Sequence, residues 1–160
     1  MSELYVLVKW LHVVSSTVLF GMGAGIAFFF LRAQRTGNVR VITAVSREVV
    51  IADAAFTAGA VVIQPVTGMA MAHLAGLPLS LPWLQLSMVL YVLIGCCWLP
   101  VVVLQIRMRN LAVRALCDQT ALPPEYYRYY RWWFGLGWPA FIGVLIVFYL
   151  MVAKPTLWSP

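Results

Sequence analysis

Residues 54–106 contain no aspartate, glutamate, lysine or arginine, and they read AAFTAGAVVIQPVTGMAMAHLAGLPLSLPWLQLSMVLYVLIGCCWLPVVVLQI. A helix needs about 20 residues to cross the roughly 30 Å of bilayer hydrocarbon, so this run is too long for one crossing. Gly76, Pro78 and Pro82 interrupt it where a turn is required. The run therefore predicts two consecutive membrane helices.

Similar uncharged segments lie on either side of this run. Trp10–Leu31 is longer than the apolar core of a signal peptide and is followed by basic residues, so we expect it to be a membrane span. Trp132–Ala153 supplies another. We predict an all-α, integral membrane four-helix bundle in a single membrane domain over residues 1–160, with helices at about 4–31, 49–75, 82–115 and 126–153.

The composition agrees with this class. Hydrophobic residues make up 63% of the chain and charged residues 10%, whereas soluble domains average about 45–50% and 25%. The net charge of +6 comes from short basic clusters between apolar stretches, not from a basic arm or stripe. We therefore expect the lipid bilayer as partner and no nucleic acid.

The basic clusters predict the orientation. Nine of the 11 lysines and arginines fall between the first and second or the third and fourth helices: Arg32, Arg35, Arg40, Arg47, Arg107, Arg109, Arg114, Arg128 and Arg131. Only Lys9 and Lys154 fall at the opposite face. Since short cytoplasmic loops retain Lys and Arg, both termini are expected on the outer side. The segment Glu125–Trp133, EYYRYYRWW, is typical of an interfacial anchor.

Small residues and prolines predict how the helices pack. Gly21 and Gly25 form a GxxxG motif, which allows close helix approach in lipid and indicates a homo-oligomer. Pro65, Pro100 and Pro139 each lie inside a span, where a proline kinks the helix or leaves a backbone carbonyl open.

Polar groups inside a bilayer are costly and are therefore candidates for function. Asp53 lies near the cytoplasmic end of the second helix, where an ion pair with Arg47 or Arg107 is the favoured interpretation. Gln64 and Gln85 are candidates for hydrogen bonds between helices.

His12 and His73 are the only histidines of the chain, and antiparallel packing places both in the outer half of the bundle. His12 would lie about 13 Å along the first helix and His73 about 5 Å from the end of the second. Met69, one turn deeper than His73, matches the depth of His12 better. Two imidazoles, or an imidazole and a thioether, on facing helices can hold haem iron.

Lys9 lies on the same face as His12, three residues earlier, where its cation could meet a haem propionate. The same groups suit Cu(I), because thioethers and imidazole are ligands that it prefers. The alternative interpretation is structural: a histidine near a helix end often makes interfacial hydrogen bonds, and methionines such as Met69 often fill space.

The first helix, YVLVKWLHVVSSTVLFGMGAG, resembles the opening of the membrane-embedded, b-haem protoporphyrinogen oxidase family of bacteria, which carries a similar Lys-x-x-His. Further similar residues follow along the chain: Pro65, Thr67, Gly68, Trp83, Leu84, Ala153, Lys154 and Pro155. The whole sequence is more similar to an uncharacterised family of four-helix predicted integral membrane proteins, related to those oxidases and to the copper-resistance D membrane domain.

The resemblance implies a bacterial inner membrane location, His12 as haem ligand and Lys9 as the matching lysine. The oxidase family has a lysine shortly after the Trp-Leu pair of its third helix, where this chain has Ser87. That difference weakens the enzyme hypothesis, because shared fold is not shared reaction.

Two functions follow as hypotheses. The first is a haem b protein with a redox role, either porphyrinogen oxidation or electron transfer to a partner in the membrane. Its cofactor would be bound by His12, with Met69 or His73 as the second ligand. The alternative is a non-catalytic membrane protein for copper handling or partner scaffolding.

Overall fold

The computed structural model describes residues 3–157 as an all-helical protein. Its α-helices are α1 (Glu3–Arg35), α2 (Val39–Ala52), α3 (Ala58–Leu74), α4 (Pro82–Cys117) and α5 (Pro124–Ala153). A π-helical segment, Asp53–Thr57, joins α2 to α3, so that Val39–Leu74 forms one span. Within residues 3–157 there are therefore four helical spans long and apolar enough to cross a membrane.

Local signals explain where these helices begin and turn. The Asn38 side chain caps α2 by accepting a hydrogen bond from the Arg40 backbone N–H at 2.9 Å. Gly37 and Gly76 have φ values of +61° and +63°, which a glycine adopts without steric cost. Pro82 begins α4 at a position where a missing N–H loses no helical hydrogen bond.

Successive spans run antiparallel, which gives the bundle two ends. We call the end where α1 and α4 finish and α2 and α5 begin the basic end, because nine arginines lie in or beside its connections. The opposite end, with both termini, is the terminal end. The connections at the basic end are short, residues 36–38 and 118–123.

Most of the buried core lies toward the basic end. Its centre is formed by Phe30, Ile42, Val49, Met108, Ala112, Tyr126 and Trp133. A smaller cluster at the terminal end contains Ala72, Trp83, Leu84 and Leu150. Outside these clusters, many large apolar side chains are exposed, for example Val62 at 64% and Val92 at 61%. Such a surface suits a lipid environment rather than water.

The second span begins at Val39, about ten residues earlier than the predicted start near residue 49. Counting uncharged residues misses this part because Arg40, Arg47 and Glu48 interrupt it. Its buried residues, Ile42, Thr43, Ser46 and Val49, recur at helical spacing, which is the pattern of an amphipathic helix packed on a neighbour.

Pro65 leaves a backbone carbonyl open, as expected for a proline inside a span. Because Pro65 has no N–H, the carbonyl of Val61 lacks its helical partner. The Tyr91 hydroxyl of α4 donates a hydrogen bond to that oxygen. The proline thus leaves a hydrogen-bond acceptor on α3 that a side chain of α4 uses.

The glycines differ in whether they lie against a neighbouring helix of the chain. A Cβ added at Gly143 would lie 2.8 Å from Ile94 Cγ1, so this glycine permits close approach of α5 to α4. By contrast, a Cβ added at Gly21 or Gly25 would meet nothing within 4 Å among the described residues. The GxxxG motif of α1 is therefore open toward the outside of this chain.

The EYYRYYRWW segment is only partly a surface anchor. Tyr127, Arg131 and Trp132 are exposed, while Tyr126 and Trp133 are buried in the core. Gln34 Nε2 of α1 donates to the Tyr126 hydroxyl at 2.5 Å. The two buried residues thus connect α5 to α1, where Trp133 packs against Phe30, a role that composition alone does not indicate.

Candidate functional site

His12 lies where α1 contacts α3. Its Nδ1 is 2.8 Å from Thr67 Oγ1, and its Cε1 would be 3.4 Å from a Cβ added at Gly68. The glycine leaves a flat surface for the imidazole, because any side chain larger than a methyl group would push the ring aside. The histidine is half-buried.

A second set of hydrogen bonds holds the backbone beneath the imidazole. Gln64 Nε2 of α3 donates to the His12 carbonyl at 2.7 Å and to Ser15 Oγ at 2.6 Å. The Ser15 hydroxyl donates to the same carbonyl at 3.1 Å. The expectation that Gln64 bonds between helices is therefore confirmed. Within the described residues, Gln85 is exposed and no side-chain hydrogen bond is seen for it.

The Thr67 hydroxyl indicates which nitrogen of His12 carries the proton. Thr67 Oγ1 lies 2.7 Å from the Ile63 carbonyl, to which it donates its one hydrogen. Its oxygen then accepts from Nδ1–H of His12. In this tautomer Nε2 carries a lone pair, and it has no hydrogen-bond partner among residues 3–157.

This arrangement is typical of a metal-binding histidine, in which one ring nitrogen donates to a supporting group and the other faces the metal. Within residues 3–157, no three His, Cys, Asp or Glu side chains are grouped to hold an ion. A metal at His12 would therefore take most of its ligands from another source. The four pyrrole nitrogens of a porphyrin would be such a source.

The structure does not bring Met69 or His73 to the imidazole. Met69 is two residues from Thr67, about 200° around the helix, and half of its surface is exposed. His73 is also exposed, at the end of α3. Lys9 is exposed one turn from His12 toward the terminal end, on the same side of α1. Of the predicted residues, Lys9 alone shares a helix face with His12.

A second polar cluster lies deeper in the bundle, around Asp53 in the π-helical segment. The side chain is 4% exposed, and its Oδ1 accepts from Trp98 Nε1 at 3.4 Å. With the Gln105 amide oriented to satisfy both neighbours, its Nε2 donates to Asp53 Oδ2 at 2.9 Å and its Oε1 accepts from Trp133 Nε1 at 3.3 Å. Thr57 Oγ1 is buried one turn away, and no hydrogen-bond partner is seen for it within residues 3–157.

The predicted ion pair of Asp53 with Arg47 or Arg107 is wrong. Among residues 3–157 the only ion pair within 4.0 Å joins Arg128 to Glu125. Asp53 faces the bundle interior, where indole and amide N–H groups stabilise it, whereas both arginines are exposed. π-helical segments are frequent at functional positions, and this one turns the carboxyl inward.

Sequence reasoning missed Ser15 beside His12, and also Trp98, Gln105 and Trp133 beside Asp53. The signal for Ser15 was its position one turn after His12, where its side chain points to the same neighbouring helix. The partners of Asp53, Trp98 and Gln105, both lie on α4, and Trp133 of α5 donates to Gln105. Their approach depends on helix rotation that no local pattern encodes.

Comparison with known proteins defines the family. The chain matches the family described as "Predicted integral membrane protein (DUF2269)" over residues 6–155. It therefore belongs to this family, as the overall resemblance of the sequence predicted. No curated protein and no solved structure matches the chain. A relation to the porphyrinogen oxidases or to the copper-resistance D domain stays a prediction.

Proposed function

We propose that this member of the DUF2269 membrane family is a haem b protein, in which His12 would bind the haem iron through Nε2. One observation supports the proposal: Thr67 Oγ1 accepts a hydrogen bond from Nδ1–H of His12, and among residues 3–157 no partner is seen for the Nε2 lone pair. Supporting hydrogen bonds of this kind orient a histidine and increase its basicity toward a metal. The bound haem would supply one-electron redox chemistry.

The other residues of the site would hold the histidine and the edge of the cofactor. Gln64 and Ser15 fix the backbone of His12. Lys9 lies one turn nearer the terminal end, where its cation would meet a propionate at the membrane surface. Met69 and His73, the candidates for a second ligand, lie on other faces of α3, so they support the proposal less than Thr67 does.

Within this redox role, Ser87 favours electron transfer over porphyrinogen oxidation. Ser87 is buried, and its hydroxyl donates to the Trp83 carbonyl of its own helix at 2.7 Å. It stands where the oxidase resemblance implies a lysine, so this position offers no cation to an acidic porphyrinogen. An electron-transfer partner in the membrane is part of the proposal.

The proposed setting is the bacterial inner membrane, with the basic end in the cytoplasm and both termini outside. The cluster of nine arginines at one end supports this orientation. The open surface at Gly21 and Gly25 of α1 supports a homo-oligomer in which a second copy covers these glycines.

The experiment is the visible spectrum of detergent-purified protein, oxidised and dithionite-reduced, after expression with adequate haem supply. We expect a b-type spectrum close to one haem per chain in the wild type and in the control H73A. We expect no Soret band in H12A, because the axial ligand is lost. A colourless, folded wild type would overturn the proposal, and copper retained by that protein would favour the copper-handling alternative.

A further inference from the structure

A groove of about 570 Å³ lies between α2 and α4 at the basic end, far from His12. It is lined by Arg47, Ile51, Arg109, Asn110, Val113 and Arg114. Three arginines from two different helices therefore converge on one depression. Retention of arginine in cytoplasmic loops explains their presence at this end, but it does not require them to share a groove.

These arginines have no carboxylate partner among residues 3–157, where Arg128–Glu125 is the only ion pair. The Arg109 guanidinium is held at the groove by Asn110 Oδ1, which accepts from Nε at 3.2 Å and from Nη2 at 2.9 Å. Asp53 is buried on the same span as Arg47, but its carboxylate accepts a hydrogen bond from Trp98 and forms no ion pair with these arginines. The groove thus carries uncompensated positive charge.

The register of the two helices sets the depth of each lining group. Thr43 Oγ1 donates to the Ala112 carbonyl at 3.0 Å, which places these two residues at one level. Arg47 and Arg109 each lie about one turn deeper in the membrane from that level. Ile51 lies a further turn toward the hydrocarbon. The groove is therefore cationic at interfacial depth and apolar toward the bilayer interior.

We propose that this groove binds the phosphate of an anionic phospholipid, with the start of an acyl chain along Ile51. Guanidinium groups bind phosphate oxygens through paired, charge-assisted hydrogen bonds. Basic pockets between membrane helices are suited to anionic lipid head groups. A free phosphate shares the head-group chemistry but does not use the apolar end of the groove.

The test is native mass spectrometry of the full-length protein in detergent, titrated with phosphatidylglycerol or with phosphatidylcholine. The wild type is expected to bind one phosphatidylglycerol in clear preference to phosphatidylcholine. The triple variant R47Q/R109Q/R114Q should bind phosphatidylglycerol on the order of 100-fold more weakly, since each arginine contributes roughly fivefold near a charged membrane surface.

The matched control is R32Q/R35Q/R131Q, which removes the same charge from three exposed arginines outside the groove. It should keep wild-type affinity for phosphatidylglycerol. Equal weakening in both triple variants would overturn the proposal, because binding would then follow net charge alone. Equal binding of the two lipids would also overturn it. Displacement of the lipid by millimolar inorganic phosphate would identify a soluble phosphate as the ligand and contradict the lipid assignment.

Discussion

At the scale of single residues, the His12 site depends on a hydroxyl that has three polar neighbours and one hydrogen. Thr67 Oγ1 lies 2.8 Å from His12 Nδ1, 2.7 Å from the Ile63 carbonyl and 3.2 Å from the Gln64 carbonyl. Both carbonyls can only accept, so when the hydroxyl donates to either of them, its oxygen accepts from Nδ1–H. A polar group on α3 therefore controls which nitrogen of an α1 side chain is available for a ligand.

Replacement of Thr67 by valine keeps the shape of the side chain and removes this control. We expect T67V to bind haem about 10- to 100-fold more weakly than the wild type, the usual effect of losing a supporting group of a metal ligand. The measurement is a haem titration of the apoprotein followed at the Soret band. T17V is the control, since the hydrogen bond seen for the Thr17 hydroxyl in the described part of the chain goes to the Val13 carbonyl of its own helix. Unchanged affinity in T67V would contradict the assigned tautomer.

Asp53 differs from Thr67 because its carboxylate only accepts hydrogen bonds. Both described partners, Trp98 and Gln105, donate to it. In D53N, the new amide group would face the Gln105 amide, so one buried N–H loses its acceptor whichever way Gln105 turns. We expect D53N to destabilise the protein by about 1–3 kcal/mol, measured by reversible unfolding in detergent. The exposed Asp118 gives the control D118N. Equal stability of D53N and the wild type would mean that Asp53 is protonated in the native protein.

At the scale of helices, α4 and α5 form the most extensive helix pair of the bundle, and Gly143 determines how closely they pack. We expect G143A to destabilise the protein by about 1–3 kcal/mol, because the added methyl group overlaps Ile94. G137A should not destabilise the protein, because no described residue lies within 4 Å of its Cβ position and alanine is the better helix former. The I94A change removes both contacting atoms, Cγ1 and Cδ1, so the loss in the double variant G143A/I94A should be smaller than the sum of the two single losses, measured by thermal unfolding. Additive losses would argue against direct contact.

The helices were predictable from the sequence to the extent that hydrophobic length determines them. Uncharged runs located four spans, and Pro65 indicated an open carbonyl. Helix rotation was not predictable, because the runs are apolar on all sides. Consequently His12 could be singled out by residue type, whereas its hydrogen bond to Thr67 was not predicted. Met69 and His73, expected as candidates for a second ligand, stay predictions, and Met69 lies about 200° from Thr67 around α3. The start of α2 was not predicted because its arginines interrupt the uncharged run, although they lie on the exposed face of the helix, opposite its buried residues.

At the scale of the whole molecule, buried packing and positive charge both concentrate at the basic end. Cys117 is exposed there at the end of α4. In a C96A/C97A background, a membrane-impermeant maleimide should label Cys117 in inverted membrane vesicles and leave it unlabelled in intact spheroplasts. A protease-sensitive tag at the amino terminus should show the reverse accessibility and serves as the control. Labelling of Cys117 from outside would contradict the proposed orientation.

The hydrogen bond from Tyr91 to the Val61 carbonyl links two positions that are far apart in the chain. In a relative with a non-proline residue at the position of Pro65, the backbone itself satisfies that carbonyl. The phenol at the position of Tyr91 is then no longer needed to satisfy that oxygen, and selection on it is relaxed. Positions 65 and 91 should therefore covary across the family. Such covariation would show from sequences alone which turns of the second and third spans lie side by side.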